Sequence, residues 1–134
     1  MWYPVISPES THVAYMNQFY PSPETELQLI KMDGTEHRAL HRFKGDEQFV
    51  IHAWTPDGKQ ILGRFRKEKD DQLVAFSTED GSMQVIHTFE TFWNPWKTGM
   101  AFSPDGRYVA YDQPKEKGSS DWDIFIIDLE QQQT

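Results

Sequence analysis

The tetrapeptide Ser7-Pro8-Glu9-Ser10 returns as Thr55-Pro56-Asp57-Gly58 and again as Ser103-Pro104-Asp105-Gly106, each time 48 residues further on. The flanks match too. Val5-Ile6, Ala53-Trp54 and Ala101-Phe102 precede it; His12-Val13-Ala14-Tyr15, Gln60-Ile61-Leu62-Gly63 and Tyr108-Val109-Ala110-Tyr111 follow. Only about one residue in twenty is proline, so three prolines in register inside matching apolar windows mark an internal repeat. Such a repeat restricts the fold to architectures in which one supersecondary unit stacks on copies of itself.

Each unit reads as short strands joined by turns. An apolar strand enters, as in Val50 to Trp54 or Gly99 to Phe102. The Ser/Thr-Pro-Asp-Gly turn follows: proline presets φ, aspartate bonds to nearby backbone N–H groups, and glycine accepts a positive φ. A second strand comes next, Lys59 to Phe65 or Arg107 to Tyr111, and after a polar loop a third: Leu27 to Met32, Leu73 to Ser77, Ile124 to Leu129. Asp33-Gly34 and Asp80-Gly81 predict type I′ hairpins into a fourth strand, Glu36 to Leu40 and Met83 to Phe89. No stretch has convincing helical periodicity. Four antiparallel strands per period predict an all-β fold of propeller blades, spanning roughly residues 2–40, 49–89 and 99–134, with the last strand of the third missing.

The Ser-Pro-Asp-Gly turn, the strand Tyr108-Val109-Ala110-Tyr111 and the run Asp123-Ile124-Phe125-Ile126-Ile127-Asp128-Leu129 resemble the blades of TolB-like, WD-repeat-like β-propellers. The resemblance covers the whole chain and is weakest in the first unit, where Glu9-Ser10 replaces Asp-Gly. It implies a propeller fold and leans towards a periplasmic or extracytoplasmic location. Closed propellers carry about four to eight blades, so three form an incomplete ring. The expectation is either an excerpt of a longer propeller or half-rings that associate about a two-fold axis.

Composition excludes several functions. The 134 residues contain no cysteine, which removes disulfide scaffolds, Cys-based zinc sites and thiol nucleophiles. With 13 Lys+Arg against 21 Asp+Glu, the net charge of −8 argues against nucleic-acid binding. No apolar run approaches the ~18 residues of a membrane span. There is no Gly-x-Ser-x-Gly elbow, His-Glu-x-x-His pair or Gly-rich phosphate loop, so no catalytic residue, metal ligand or cofactor is predicted. His12, His37, His41, His52 and His87 are scattered without metal-ligand spacing. Asp121 and Asp123 flank Trp122 and read as strand-start residues bonding local backbone.

Function is expected on the long loops at one end of the blades: Asn17 to Glu26, His41 to Gln48, Arg66 to Asp71, Glu90 to Thr98 and Gln113 to Asp121. Phe19, Tyr20, Phe92, Trp93, Trp96 and, beside a loop, Trp122 are the candidate partner-binding residues; Phe43 is a further loop aromatic. The best anchors are Trp93 and Trp96, with Pro95 stiffening the loop between them. These features predict a non-catalytic module that binds protein or peptide and also associates with itself or with further blades. Two alternatives stand beside it: an accessory propeller of a prolyl-oligopeptidase-family serine hydrolase, and a ligand-sensing propeller of a regulator.

Overall fold

Where apolar residues recur between proline- and glycine-bearing turns, the chain is extended. A computed structural model describes residues 2–68, 70–89, 100–115 and 120–132. The strands are β1 (Trp2–Ile6), β2 (His12–Gln18), β3 (Thr25–Lys31), β4 (Arg38–Phe43), β5 (Gln48–Trp54), β6 (Gln60–Lys67), β7 (Asp70–Ser77), β8 (Met83–Thr88), β9 (Met100–Phe102), β10 (Tyr108–Pro114) and β11 (Trp122–Asp128). They pair antiparallel into three sheets, ordered β1-β2-β3-β4, β5-β6-β7-β8 and β9-β10-β11. Each sheet is one blade, and the three make the unclosed all-β propeller that the repeat predicts.

The repeated turns superpose in their bonding. Ser10, Gly58 and Gly106 each donate N–H to the carbonyl three residues back, all at 2.9 Å. In the second turn Asp57 Oδ1 accepts from Thr55 Oγ1 at 2.7 Å and from the Lys59 N–H at 2.9 Å. In the third, Asp105 Oδ1 accepts from Ser103 Oγ at 2.6 Å and from the Arg107 N–H at 3.0 Å. These bonds hold both carboxyls below the ordinary aspartate range. Pro8, Pro56 and Pro104 line one small hollow, so the three turns gather at one end of the molecule.

Directly opposed residues in a ladder share a face, so the registers divide each blade into two faces. The front of the second blade presents Ile61, Phe65, Val74 and Phe76, with Phe49 and Ile51. It packs on the rear of the first blade, made by Ala14, Met16, Leu27 and Leu29, and on Phe43. The rings of Phe43, Phe49 and Phe76 meet at 5.0–5.6 Å. The rear of the second blade presents Leu62, Leu73, Ala75 and Ile86 to Val109, Tyr111 and Ile127 of the third. Each side chain buried this way is worth about 1.5–3 kcal/mol, so stacking of faces is the main source of order. Trp54 adds an inner tie, its Nε1–H donating to the Val5 carbonyl at 2.9 Å.

Gly63 stands where the other two units carry Tyr15 and Tyr111. A Cβ there would lie 2.3 Å from the Val50 carbonyl oxygen and 2.5 Å from the Phe49 ring. The Phe49 ring takes the room of the missing side chain.

Several sequence expectations are corrected. The fourth strand of the first blade runs on through Phe43, so the loop predicted from His41 shrinks to residues 44–47, and Phe43 is a buried core ring. The predicted long loop Arg66 to Asp71 is a tight hairpin with Arg66 opposite Asp71 and Lys67 opposite Asp70. The Asp33-Gly34 and Asp80-Gly81 turns are not type I′, because only their glycines take positive φ. Asp33 Oδ1 instead accepts from the Thr35 N–H and hydroxyl. The third strand of the third blade stops at Asp128, whose Oδ1 accepts the Glu130 N–H at 3.1 Å. That cap starts a one-turn helix, α1 (Leu129–Gln132), which buries Leu129.

Ser10 is the first unit's weak point. It takes φ 59 where the other turns have glycine, a conformation that costs an L-residue about 1–2 kcal/mol. Ser10→Gly should raise stability by about 1 kcal/mol, a few degrees in melting temperature by calorimetry. An unchanged or lower value would show that the Ser10 backbone carries no strain.

Candidate functional site

Antiparallel pairing sends the β1–β2, β3–β4, β5–β6, β7–β8 and β9–β10 turns to one end of the blades and the β2–β3 and β4–β5 connections to the other. That second end holds the loop at residues 19–24, between β2 and β3, beside the loop at 44–47. The first is braced internally. The Phe19 N–H donates to the Glu24 carbonyl at 3.1 Å, the Ser22 N–H to the Phe19 carbonyl at 2.7 Å, and the Glu24 N–H to Ser22 Oγ at 3.2 Å. Arg42, from β4, closes the brace. Its Nε lies 3.2 Å from Glu24 Oε1, and its guanidinium sits 4.3 Å from the centre of the Phe19 ring.

This geometry separates two residues that sequence pairs together. Phe19 is half-buried beneath Arg42, whereas Tyr20 points outward and is 89% exposed. Beside the loop lies a cleft of about 280 Å³ lined by Gln18, Pro23, Thr25, Asp46, Glu47 and Phe49, among others. Ligand pockets run to about 300–1,000 Å³, so this cleft suits one side chain of a larger partner better than a whole small molecule. Its lining combines the buried Phe49 ring with the carboxylates of Asp46 and Glu47.

The other candidates fall elsewhere. Trp122 is 46% exposed and is the first residue of β11, in the third blade. Phe92, Trp93 and Trp96 lie outside the described residues. Asp123 Oδ1 accepts the Ile124 N–H at 3.0 Å, the local bonding expected of it. Among the described residues no three potential metal-ligating side chains cluster, and no helix is long and apolar enough to cross a membrane. The histidines are dispersed. His12 Nδ1 meets Thr11 Oγ1, His37 Nδ1 meets the Tyr15 hydroxyl, and His41 and His87 pack on aromatic rings.

One polar cluster escapes sequence reading. On the rear of the second blade Arg64 is buried. Its Nε lies 2.7 Å from Asp71 Oδ1 and its Nη2 2.8 Å from Oδ2, a two-pronged pair, and its guanidinium covers the Phe89 ring at 4.0 Å. Asp71 reads in sequence as the end of a solvated charge run, yet the tight β6–β7 hairpin turns it inward. An arginine inside the run Ile61-Leu62-Gly63-Arg64-Phe65 was the available signal. His52 lies on the neighbouring strand with its Nε2 buried and without a hydrogen-bond partner. Burial, with the charge of Arg64, lowers its pKa to about 4. The cluster sits inside the blade stack and is structural.

Comparison with solved structures now bears on the fold. TolB from Acinetobacter baumannii matches with a TM-score of 0.69 at 23% identity, over 92% of this chain and 29% of its own. The β-propeller domain of the Trilobed protease from Pyrococcus furiosus, described as having an open velcro topology, matches with 0.63 at 19% identity, over 93% of this chain and 40% of its own. Oligogalacturonate lyase from Vibrio parahaemolyticus matches with 0.71 at 13% identity, over 97% of this chain and 34% of its own. The chain therefore spans well under half the length of these proteins. No family model matches, and no curated protein sequence does. The fold is that of TolB-like propeller blades.

Two predictions follow from the buried cluster. Asp71→Ala removes the carboxylate paired with the buried Arg64 charge and should cost about 3–5 kcal/mol. The ladder registers place Met16 and Thr25 of the first blade at the positions of Arg64 and Asp71. The double variant Arg64→Met/Asp71→Thr should therefore recover most of that loss in urea denaturation; equal losses would deny the pair its role. His52 titrates at about 4 folded against about 6.5 unfolded, so the unfolded chain binds more protons between those values. Its contribution is complete above pH 6.5 and falls by on the order of 3 kcal/mol as the pH drops to 4. His52→Gln should flatten stability across that window, and an unaltered slope would assign it to other groups.

Proposed function

We propose that the chain is a non-catalytic part of a TolB-like propeller that binds a protein or peptide at its loop end, through Tyr20 and the adjoining cleft. The observation that carries this reading is the pairing of an almost fully exposed tyrosine with a loop tied by two backbone hydrogen bonds, a bond from the Glu24 N–H to Ser22 Oγ and the Arg42 brace. An ordered loop presents a large ring with little further entropy loss on binding, and tyrosine is among the residues enriched at binding hot spots. The apolar side chains of Phe49 and Pro23 and the carboxylates of Asp46 and Glu47 favour a peptide with an apolar side chain next to a cationic one. Trp93, Trp96 and Phe92, which lie outside the described residues, belong to the same reading as further proposed contacts. An extracytoplasmic location accompanies it.

The likeness to the Trilobed protease propeller favours a second reading, in which these blades are the non-catalytic propeller of a peptidase and the same face meets substrate peptides. Both readings place peptide contacts at the loop end and no reaction on these residues.

Selection of a random peptide display library against the purified chain tests the proposal. Enriched peptides should lose at least about tenfold in affinity on Tyr20→Ala, the scale of a hot-spot ring. The variant's melting temperature should stay near wild type, since surface changes of this kind stay within about 0.5 kcal/mol. Peptides that bind Tyr20→Ala as tightly as wild type would remove Tyr20 from the site.

A further inference from the structure

The polar groups around the cleft beside the 19–24 loop divide into those the molecule uses and those it does not. In the turn at 44–47 the Glu47 N–H donates to the Lys44 carbonyl at 3.1 Å, Glu47 Oε1 accepts the Lys44 N–H at 2.8 Å, and Gly45 takes a φ of 60. Glu47 is thereby folded back onto its own loop. Asp46, one residue earlier, is exposed and lines the cleft. Asp33, Asp57, Asp80 and Asp105 each bond to backbone N–H groups of their own turns. The Asp46 carboxylate makes no hydrogen bond or ion pair among the described residues. The same holds for the side chains of Gln18 and Thr25, which stand opposite each other where β2 ends and β3 begins and line the same cleft.

All three offer acceptors: the Asp46 carboxylate, Gln18 Oε1 and Thr25 Oγ1. No lysine, arginine or histidine lines the cleft. Of the cations nearby, Arg42 is engaged by Glu24 and the Phe19 ring. Lys44 precedes Gly45 and Arg66 stands opposite Gln48, but neither is part of the lining. Pro23 and Phe49 supply the apolar wall. A cleft that admits one side chain and combines such a wall with unused acceptors suits a long apolar stem ending in a cation. Arginine meets these terms better than lysine. Its guanidinium carries five donors in a planar fork against three on an ammonium, and it is the more weakly hydrated. It can engage the Asp46 carboxylate and a neutral acceptor together, and it gives up less hydration on entering.

We infer that this cleft is an arginine pocket, in which Asp46 pairs with the guanidinium of a bound peptide, Gln18 and Thr25 accept its remaining N–H groups, and Pro23 and Phe49 flank its stem. Asp46 is then the residue that sets specificity, and Glu47 holds the turn that presents it. For its peptide partner the inference rests on the loop-end reading, and it leaves the apolar neighbour of the arginine to Tyr20.

Amide NMR titration of the full chain with N-acetyl-arginine amide, N-acetyl-lysine amide and N-acetyl-leucine amide tests the assignment. The arginine compound should move the Gln18, Thr25, Gly45 and Asp46 resonances saturably. The lysine compound should bind at least about twofold more weakly, having fewer donors, and the leucine compound should leave these resonances in place. Asp46→Asn should weaken the arginine compound about three- to fivefold, the scale of an exposed ion pair. Glu47→Gln, which keeps an acceptor for the Lys44 N–H, should weaken it less. Both variants should melt near wild type. Equal binding of the arginine and lysine compounds, or wild-type binding by Asp46→Asn, would overturn the inference. The peptide selection separates its failure from that of the loop-end reading. Selected peptides that need Tyr20 yet carry no arginine would overturn the arginine pocket and leave the loop-end reading standing. Arginine binding that depends on Asp46, in a chain whose selected peptides ignore Tyr20→Ala, would uphold the pocket and remove Tyr20 from the site.

Discussion

The second blade buries both of its faces, so its order depends on having a neighbour on each side. The second blade meets that condition within the chain. Its front closes on Phe43, Met16 and Leu27 and its rear on Val109, Tyr111 and Ile127. The turns, caps and ion pairs add to this sandwich. The Asp57 and Asp105 turns set the angle at which each second strand returns, and the Asp128 cap turns Leu129 into the rear core. With the stack removed, the isolated four-stranded sheets would have two unsupported faces, and sheets need such packing for independent stability.

Stacking and recognition use different parts of each blade. Side chains that alternate along the strands face the neighbouring blades, while the loops at 19–24 and 44–47 leave the sheets edge-on. A partner can therefore meet Tyr20 without disturbing the contacts that hold the blades together. The buried Arg64–Asp71 pair shows the opposite case, a charged pair enclosed by stacking. There the first blade's Met16 performs the same packing with no charge at all.

The fold was legible because its determinants are local. Three Pro-centred turns in register, with alternating apolar strands between them, specify blades without knowledge of distant contacts. What escaped was set by pairing across strands. Phe43 looked like a loop aromatic because the first blade's fourth strand carries a register shift between Leu27 and Gln28 that lengthens it. Asp71 looked solvated because Lys67, Glu68, Lys69 and Asp70 precede it, and only the tight hairpin shows that alternation turns it inward. Type I′ turns were expected from Asp-Gly, yet the aspartates bond to their own turns with negative φ. Of the candidate site, the loop and its aromatic content were readable, but the opposite orientations of Phe19 and Tyr20 depend on Arg42, eighteen residues away in the chain at its nearest brace partner Glu24. Trp93, Trp96 and Phe92 lie outside the described residues.

Native-state hydrogen exchange of the full chain measures the central claim, that stability comes from enclosure of both faces. The centre strands β6 and β10 are each paired on both edges over equivalent residues, Ile61 to Gly63 and Val109 to Tyr111. Apart from a bulge at His52 in β5, edge bonding is matched, and the two differ in the number of faces covered. The account predicts that the Ile61–Gly63 amides open only with global unfolding, while the Val109–Tyr111 amides open through a lower-energy, partial event. Equal protection of the two sets would contradict it, because the uncovered rear of the third blade would then cost that blade nothing.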